Sequence, residues 1–197
     1  KAQLSQPVDR PIKAIIPARA LSELARIASD GNDFVSMVLP PHRGQVIFHM
    51  KDIELASQLI DGVYPDLEQV IPRSSHTRTV LSTLAFLKAC KQAEIFAREG
   101  SHIAKIIITP GGELKPGTVE ISGQSEETGS NQTIIDAAVE GKGLTIAFNV
   151  RFLREVLDVI TTPNVVIETN IETTPGVLRP VGEDNFLHVI MPMHLGG

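Results

Sequence analysis

The stretch IPARALSEL, residues 16–24, recurs later in the chain as FNVRFLREV, residues 148–156. An arginine, a leucine, a glutamate and a final aliphatic residue keep the same offsets in both copies, 132 positions apart. Each copy reads as the start of an amphipathic helix, follows a predicted strand and precedes three more strands. Such self-similarity is the sequence signature of a fold assembled from repeated units.

The repeat predicts three units of one helix and about four strands, over residues 12–72, 76–140 and 144–195. The first and third units end in related motifs, Val70-Ile71-Pro72 and Val189-Ile190-Met191-Pro192. Each unit has one apolar sheet face, so two units must pack together to bury both faces. The second and third units can form such a pair. The first is left over, and the odd count predicts that its mate lies upstream and is missing from this chain.

Helices are predicted at 18–29, 82–99 and 150–160 from their apolar spacing. The second helix is predicted to bury Leu84, Leu87, Cys90 or Lys91, Ala93 and Ile95. Alternating runs bounded by turn residues predict strands at 12–16, 34–39, 45–50, 53–59, 77–80, 103–109, 118–123, 133–139, 144–148, 165–169, 176–180 and 186–191. The polar segment QSEETGSNQ, residues 124–132, is predicted to be a hairpin loop.

Composition excludes several classes of protein. The 197 residues include one cysteine, which rules out a disulfide framework and a zinc ribbon. A net charge of −5 excludes a DNA binder that works by overall charge, so any nucleic-acid role needs locally segregated cations. The lysine of the nearest phosphate-loop candidate, Lys142, is followed by glycine where serine or threonine is required. The six histidines lack metal-ligand spacing. We therefore expect no catalytic residues, no metal and no cofactor, and no apolar run predicts a membrane span.

Three separated motifs carry a family resemblance: IDGVYPD at 60–66 followed by VIP at 70–72, IAFNVRFL at 146–153, and HVIMPMHL at 188–195. With them the chain resembles the bacterial sliding clamps, the beta subunits of DNA polymerase III, from residue 12 to 195. The resemblance implies an α+β DNA-clamp fold, with repeated units of one helix plus about four antiparallel strands and the helices on one face of the sheets. It also implies that residues 1–73 are the second half of the middle domain and 74–197 the complete C-terminal domain.

Seven basic side chains fall on the three predicted helices: Arg19, Arg26, Lys88, Lys91, Arg98, Arg151 and Arg154. By pattern alone they could form an ordinary solvated helix face. The resemblance implies instead that they face a hole through which duplex DNA passes, with contacts to phosphates and none to bases. Arg19 matches a family lysine or arginine position at the start of an inner helix.

The resemblance also implies a groove that binds partner peptides, formed by Pro65, Gln69, Val70, Asn149, Phe152, Thr173, Pro175, Val189, Met191, Pro192 and Met193. Methionines adapt to different partners, which suits this role. The alternative is core packing at the end of a sheet. Gln69 stands where many family members have arginine, and half of the pocket wall would lie on the missing segment.

Ile95 and Phe96 are adjacent apolar residues on one helix, so both cannot face the core. The exposed member predicts an interface. The resemblance implies that the pair forms the subunit contact of the full-length homodimer, against the first domain of a second subunit. That domain is absent here, so no ring is expected from this chain alone.

The resemblance implies a processivity factor of DNA replication in the bacterial cytoplasm, an accessory subunit of a DNA-directed DNA polymerase and not itself an enzyme. Its expected partners are encircled duplex DNA, the DNA polymerase III alpha subunit, the clamp loader and other proteins with clamp-binding motifs, with no membrane. Two alternatives remain. A peptide-binding adaptor would keep the groove without encircling DNA. A fragment of a DNA-metabolising enzyme would need clustered carboxylates that bind Mg²⁺.

Overall fold

The structure is a computed structural model that describes residues 11–28, 34–41, 43–64, 66–98 and 101–194. The chain divides into two compact units whose boundary lies between Asp66 and Leu67. We call them the N-terminal unit and the C-terminal unit and describe each by itself.

The N-terminal unit contains helix α1 (Ala18–Ala28) and a three-stranded antiparallel sheet of β1 (Ser36–Val38), β2 (Gln45–Met50) and β3 (Ile53–Gln58), in that order. Alternate residues of β2, Val46, Phe48 and Met50, are buried, as expected for a strand with one covered face.

The predicted strand at 12–16 is wrong: the described residues 11–17 have no regular secondary structure. The backbone amide of Ile60 donates to the carbonyl of Ile15 at 2.9 Å. A single hydrogen bond does not make a β-ladder. A segment forms a strand only where a neighbouring segment pairs with it along several residues.

The C-terminal unit holds three helices and eight strands in its described residues. They are α2 (Leu67–Val70), β4 (Thr77–Ser82), α3 (Thr83–Ala97), β5 (Ile103–Thr109), β6 (Gly117–Ser125), β7 (Gly129–Gly141), β8 (Leu144–Asn149), α4 (Val150–Val159), β9 (Asn164–Thr169), β10 (Gly176–Pro180) and β11 (His188–Ile190). The strands form one antiparallel sheet in the order β11-β10-β9-β4-β7-β6-β5-β8.

The two repeats of this unit exchange their strands. β4, the first strand of one repeat, pairs with β9 of the other, and β8 pairs in return with β5. The two edges of the sheet also approach each other, because Phe148 of β8 forms a bridge with Pro192 just after β11. The nearly closed antiparallel sheet and the packed helices α3 and α4 confirm the predicted α+β clamp architecture.

Both long helices of the C-terminal unit begin at a polar cap. The side chain of Ser82 accepts a hydrogen bond from the amide of Ala85, and that of Asn149 accepts one from the amide of Arg151 at 3.0 Å. The core between helices and sheet includes the buried side chains of Phe86, Phe148, Ile106, Ile121, Leu153 and Leu157.

The predicted buried face of α3 is partly wrong. Leu84 and Ile95 are exposed, whereas Phe86, Ala89 and Ala97 join Cys90 and Ala93 in the core. The reason is a close approach between α3 and β6. A Cβ atom built on Gly123 would clash with the carbonyl oxygen of Ala93, so only small residues fit where the helix passes over Gly123.

The loop prediction for residues 124–132 is also wrong. These residues continue β6 and β7, whose register runs out to the pair Ser125 and Gly129. The side chain of Ser125 accepts hydrogen bonds from the amides of Glu127 and Thr128, and Gly129 has a φ of 96°. A capped turn of three residues therefore replaces the predicted loop.

Candidate functional site

An open groove of about 570 Å³ lies between α4 and the C-terminal segment. It is lined by Asn149, Phe152, Glu155, Val156, Val159, Phe186, His188, Val189, Ile190, Met191 and Met193. Most of these side chains are apolar, with a few polar groups among them. This is the usual composition of a site that anchors a ligand by burial and orients it by a few polar contacts.

One wall of the groove follows from a helical period in the sequence. On α4, Phe152, Val156 and Val159 recur at helical spacing and form one apolar stripe. Val156 is buried, but Phe152 and Val159 are 51% and 64% exposed, so the stripe continues beyond what the core covers. The opposite wall is the C-terminal segment, from which Phe186, the consecutive residues 188–191 and Met193 line the same groove.

The bridge between Phe148 and Pro192 holds the far end of the groove. The amide of Met193 also donates to the carbonyl of Ala147 at 2.8 Å. These backbone contacts fix the segment on which Met191 and Met193 stand, while their flexible side chains line the groove.

The structure brings together five of the residues predicted for the partner groove: Asn149, Phe152, Val189, Met191 and Met193. Of the others, those that the structure describes do not line this cavity. Gln69 and Val70 are exposed residues of α2, Thr173 and Pro175 lie between β9 and β10, Pro192 forms the bridge to β8, and Pro65 lies outside the described residues.

Sequence reasoning missed six lining residues: Glu155, Val156, Val159, Phe186, His188 and Ile190. A signal was present for the helical ones. Phe152, Val156 and Val159 share one face of a short helix that also carries four charged residues, and that pattern predicts an apolar stripe.

The polar groups of the groove are Asn149, Glu155 and His188. Asn149 is occupied as the α4 cap, and the carboxylate of Glu155 accepts from Arg151 Nε at 3.0 Å. Burial lowers the pKa of His188, which keeps its imidazole neutral at pH 7. His188 therefore presents a neutral side chain to the groove.

Cations of α3 and α4 form ion pairs between the helices. Lys91 Nζ lies 3.1 Å from Asp158 Oδ1, and Arg154 Nε lies 2.9 Å from Glu94 Oε2. Arg154 also reaches Asp158 Oδ2 at 3.4 Å. Lys88 on α3 and Arg98, the residue that caps its C-terminus, are exposed and form no ion pair with any residue that the structure describes.

The remaining predicted site residues lie as follows. Arg19 and Arg26 are exposed on α1 in the N-terminal unit, where Arg26 forms a bidentate pair with Glu23 and lowers the pKa of that carboxyl. On α3, Ile95 is 63% exposed and the adjacent Phe96 is partly buried.

The described residues offer little for catalysis. Cys90 is buried, and its burial together with the charge of Glu94 raises the pKa of the thiol far above its usual range, so the reactive thiolate is suppressed. Within the described ranges, no group of three or more histidine, cysteine or acidic side chains could hold a metal ion. No helix in that part of the chain is long and apolar enough to cross a membrane.

Comparisons with known proteins agree with this architecture. The family model "DNA polymerase III beta subunit, C-terminal domain" matches residues 68–194, and the model of the central domain matches residues 1–66. The chain is 30% identical over 195 residues to the beta sliding clamp of Bacillus subtilis, covering 98% of this chain and 50% of that protein. It is 31% identical over 181 residues to the beta sliding clamp of Synechococcus elongatus, covering 91% of this chain and 47% of that protein.

Solved structures show the same likeness. The crystal structure of the DNA polymerase sliding clamp from Bacillus subtilis superposes with a TM-score of 0.87 at 30% identity, over 99% of this chain and 50% of that one. The beta subunit structure from Pseudomonas aeruginosa gives 0.82 at 25% identity, over 92% and 48%. The chain spans about half the length of the relatives it matches. It belongs to the DNA polymerase III beta subunit family, the bacterial sliding clamps.

Proposed function

We propose that this chain is part of a DNA sliding clamp, a processivity factor that in full length closes into a homodimeric ring around duplex DNA. The observation that carries the proposal is that two consecutive domain models of this one family cover the chain in order. Residues 1–73 then complete the middle domain and residues 74–197 form the C-terminal domain. The mechanism is topological, so the clamp needs no catalytic group of its own.

Encirclement makes weak contacts sufficient. A ring cannot leave closed circular DNA by dissociating from phosphates, so loose nonspecific cations let it slide while it stays on its template. Arg19 and Arg26 on α1, with Lys88 and Arg98 in the C-terminal unit, are the candidate contacts, whereas Lys91, Arg151 and Arg154 are engaged by carboxylates. The overall charge of −5 fits this arrangement, because an acidic outer surface is repelled by DNA that the ring does not enclose.

The groove between α4 and the C-terminal segment is the proposed tether for partner peptides. A short partner peptide would bury an aliphatic and an aromatic side chain against Phe152, Met191 and Met193. The partners in this proposal are the DNA polymerase III alpha subunit, the clamp loader and other proteins with clamp-binding motifs, in the bacterial cytoplasm. Tethering raises the local concentration of polymerase at the template. Gln69, Val70, Thr173, Pro175, Pro192 and Pro65 remain proposed members of a wider peptide site.

The exposed Ile95 and its neighbour Phe96 are the proposed subunit contact of the full-length dimer. Ile95 offers an apolar side chain to solvent on the outer side of α3, where a monomer gains nothing from it. Because the matched relatives are about twice as long, the proposal assigns the ring to the full-length protein.

Primer extension tests the proposal. With the full-length protein, a clamp loader and the replicative polymerase on a primed single-stranded circle, product length per binding event should rise many-fold. No increase in length, with the same amount of polymerase bound, would contradict a processivity role.

A second candidate is a peptide-binding adaptor that does not encircle DNA. The ion pairs of Lys91, Arg151 and Arg154 favour it, because cations engaged by carboxylates are less available to phosphates. The adaptor predicts peptide binding without any increase in product length.

A further inference from the structure

Four charged side chains connect α3 to α4 as a continuous chain of ion pairs: Lys91, Asp158, Arg154 and Glu94. Asp158 is shared by Lys91 of α3 and by Arg154 of its own helix. Arg154 in turn reaches across to Glu94 of α3. The two crossing contacts lie on successive turns of both helices, so they fix the spacing and the register of the helix pair. We call these four residues the interhelical brace.

Within the brace, the Glu94–Arg154 pair is more buried than an ordinary surface pair. Only 16% of the Glu94 side chain and 30% of the Arg154 side chain are exposed. By comparison, the Arg151–Glu155 pair on α4 is 56% and 48% exposed. A carboxylate as buried as that of Glu94 depends on its counter-ion, because removing one partner of a buried pair leaves an uncompensated charge.

We propose that Arg154, with Lys91 in support, is a positioning residue that holds α3 against α4, and that phosphate contacts of this unit come from Lys88 and Arg98. The inference rests on the proposed DNA-facing role of these helices. It divides their cations into residues that position the helices and residues that contact phosphate. Lys88 and Arg98 are exposed and form no ion pair with a described residue, so they can meet a phosphate without breaking a contact within the protein. A phosphate that takes Arg154 would have to leave Glu94 unpaired.

A double-mutant cycle tests the brace. Arg154→Gln should lower the melting temperature of the full chain by about 3–6 °C, whereas the matched control Arg151→Gln should shift it by about 1 °C or less. Adding Glu94→Gln to the Arg154→Gln variant should recover part of the lost melting temperature, because no unpaired carboxylate then remains. Equal shifts for the two arginines, or additive effects of Glu94→Gln and Arg154→Gln, would overturn the positioning role.

Salt dependence of duplex binding separates positioning from contact. Fluorescence anisotropy with a short labelled duplex, over a range of low salt concentrations, gives the association constant at each salt concentration. The slope of its logarithm against the logarithm of the salt concentration should fall in magnitude by about one for Lys88→Gln and for Arg98→Gln. Arg154→Gln should leave the slope unchanged. A slope reduced by Arg154→Gln and untouched by Lys88→Gln would overturn the division.

The double-mutant cycle and the salt-dependence measurement test separate parts of the proposal. A chain that binds no duplex at all defeats the assignment of Lys88 and Arg98, and with it the DNA-facing role of the C-terminal unit. The coupling between Glu94 and Arg154 is judged by the melting temperatures alone. Conservative rescue adds a control, because Arg154→Lys keeps a charge near Glu94 and should recover more stability than Arg154→Gln.

Discussion

The backbone amide of Met193 donates a hydrogen bond to the carbonyl oxygen of Ala147 across 2.8 Å. This bond ties the segment after β11 to β8, the opposite edge strand of the sheet, next to the bridge between Phe148 and Pro192. Closing the sheet therefore also builds the groove, because Met191 and Met193 stand on the closing segment and line it. The stability of the fold and the shape of the proposed peptide site depend on the same few contacts.

Replacing Met191 and Met193 together by alanine should weaken binding of a short peptide with aliphatic and aromatic anchors by about 10- to 100-fold. The reason is the lost apolar contact area in the groove. Isothermal titration calorimetry measures the change, and Met37→Ala, at an exposed position of β1, is the matched control. An unchanged affinity in the double variant would refute the groove as the peptide site.

Gly123→Ala should lower the free energy of unfolding by about 2–4 kcal/mol, because its methyl group would meet the carbonyl oxygen of Ala93 and push α3 off the sheet. Urea unfolding measures the difference. Gly112→Ala is the control, since its added Cβ would have no atom within 4 Å. Similar effects at both glycines would show that the close contact between α3 and β6 is not the constraint.

His188 should make the folded state less stable in acid. Its pKa is lowered in the folded state by burial, so the unfolded chain binds a proton more readily. Its contribution is complete above the unfolded pKa of about 6.5 and is progressively lost as pH falls below that value. We expect His188→Gln to lose less stability than the parent chain between pH 7 and pH 5.

Urea midpoints at matched pH values measure this difference, because carboxylates titrate equally in both proteins. Parallel pH profiles for the parent chain and His188→Gln would contradict the assignment.

Strands of the C-terminal unit could be predicted from sequence because period-two burial and bounding turn residues define them locally. Ile103–Thr109 and Gly176–Pro180 match their predicted ranges for this reason. The segment 12–16 has the same alternation but forms no strand, since strand formation also needs a partner with a free edge. Pattern predicts the capacity to pair, and tertiary structure decides whether pairing occurs.

The buried face of α3 could not be predicted from hydrophobicity, because Leu84 and Ile95 are more apolar than Ala89 and Ala97 yet are exposed. What decides the face is the close approach to Gly123, a contact 30 positions away in sequence from Ala93. The ion pair between Glu94 and Arg154 was missed for the same reason, since it joins two helices that sequence patterns treat separately.

Retention on DNA of different topology tests the central claim most directly. The full-length protein, loaded onto a nicked circular duplex, should stay bound in high salt, where phosphate contacts are screened. After the circle is cut once to give linear DNA, the protein should slide off the ends. Loss at the same rate from circular and linear DNA would contradict encirclement and leave only surface binding.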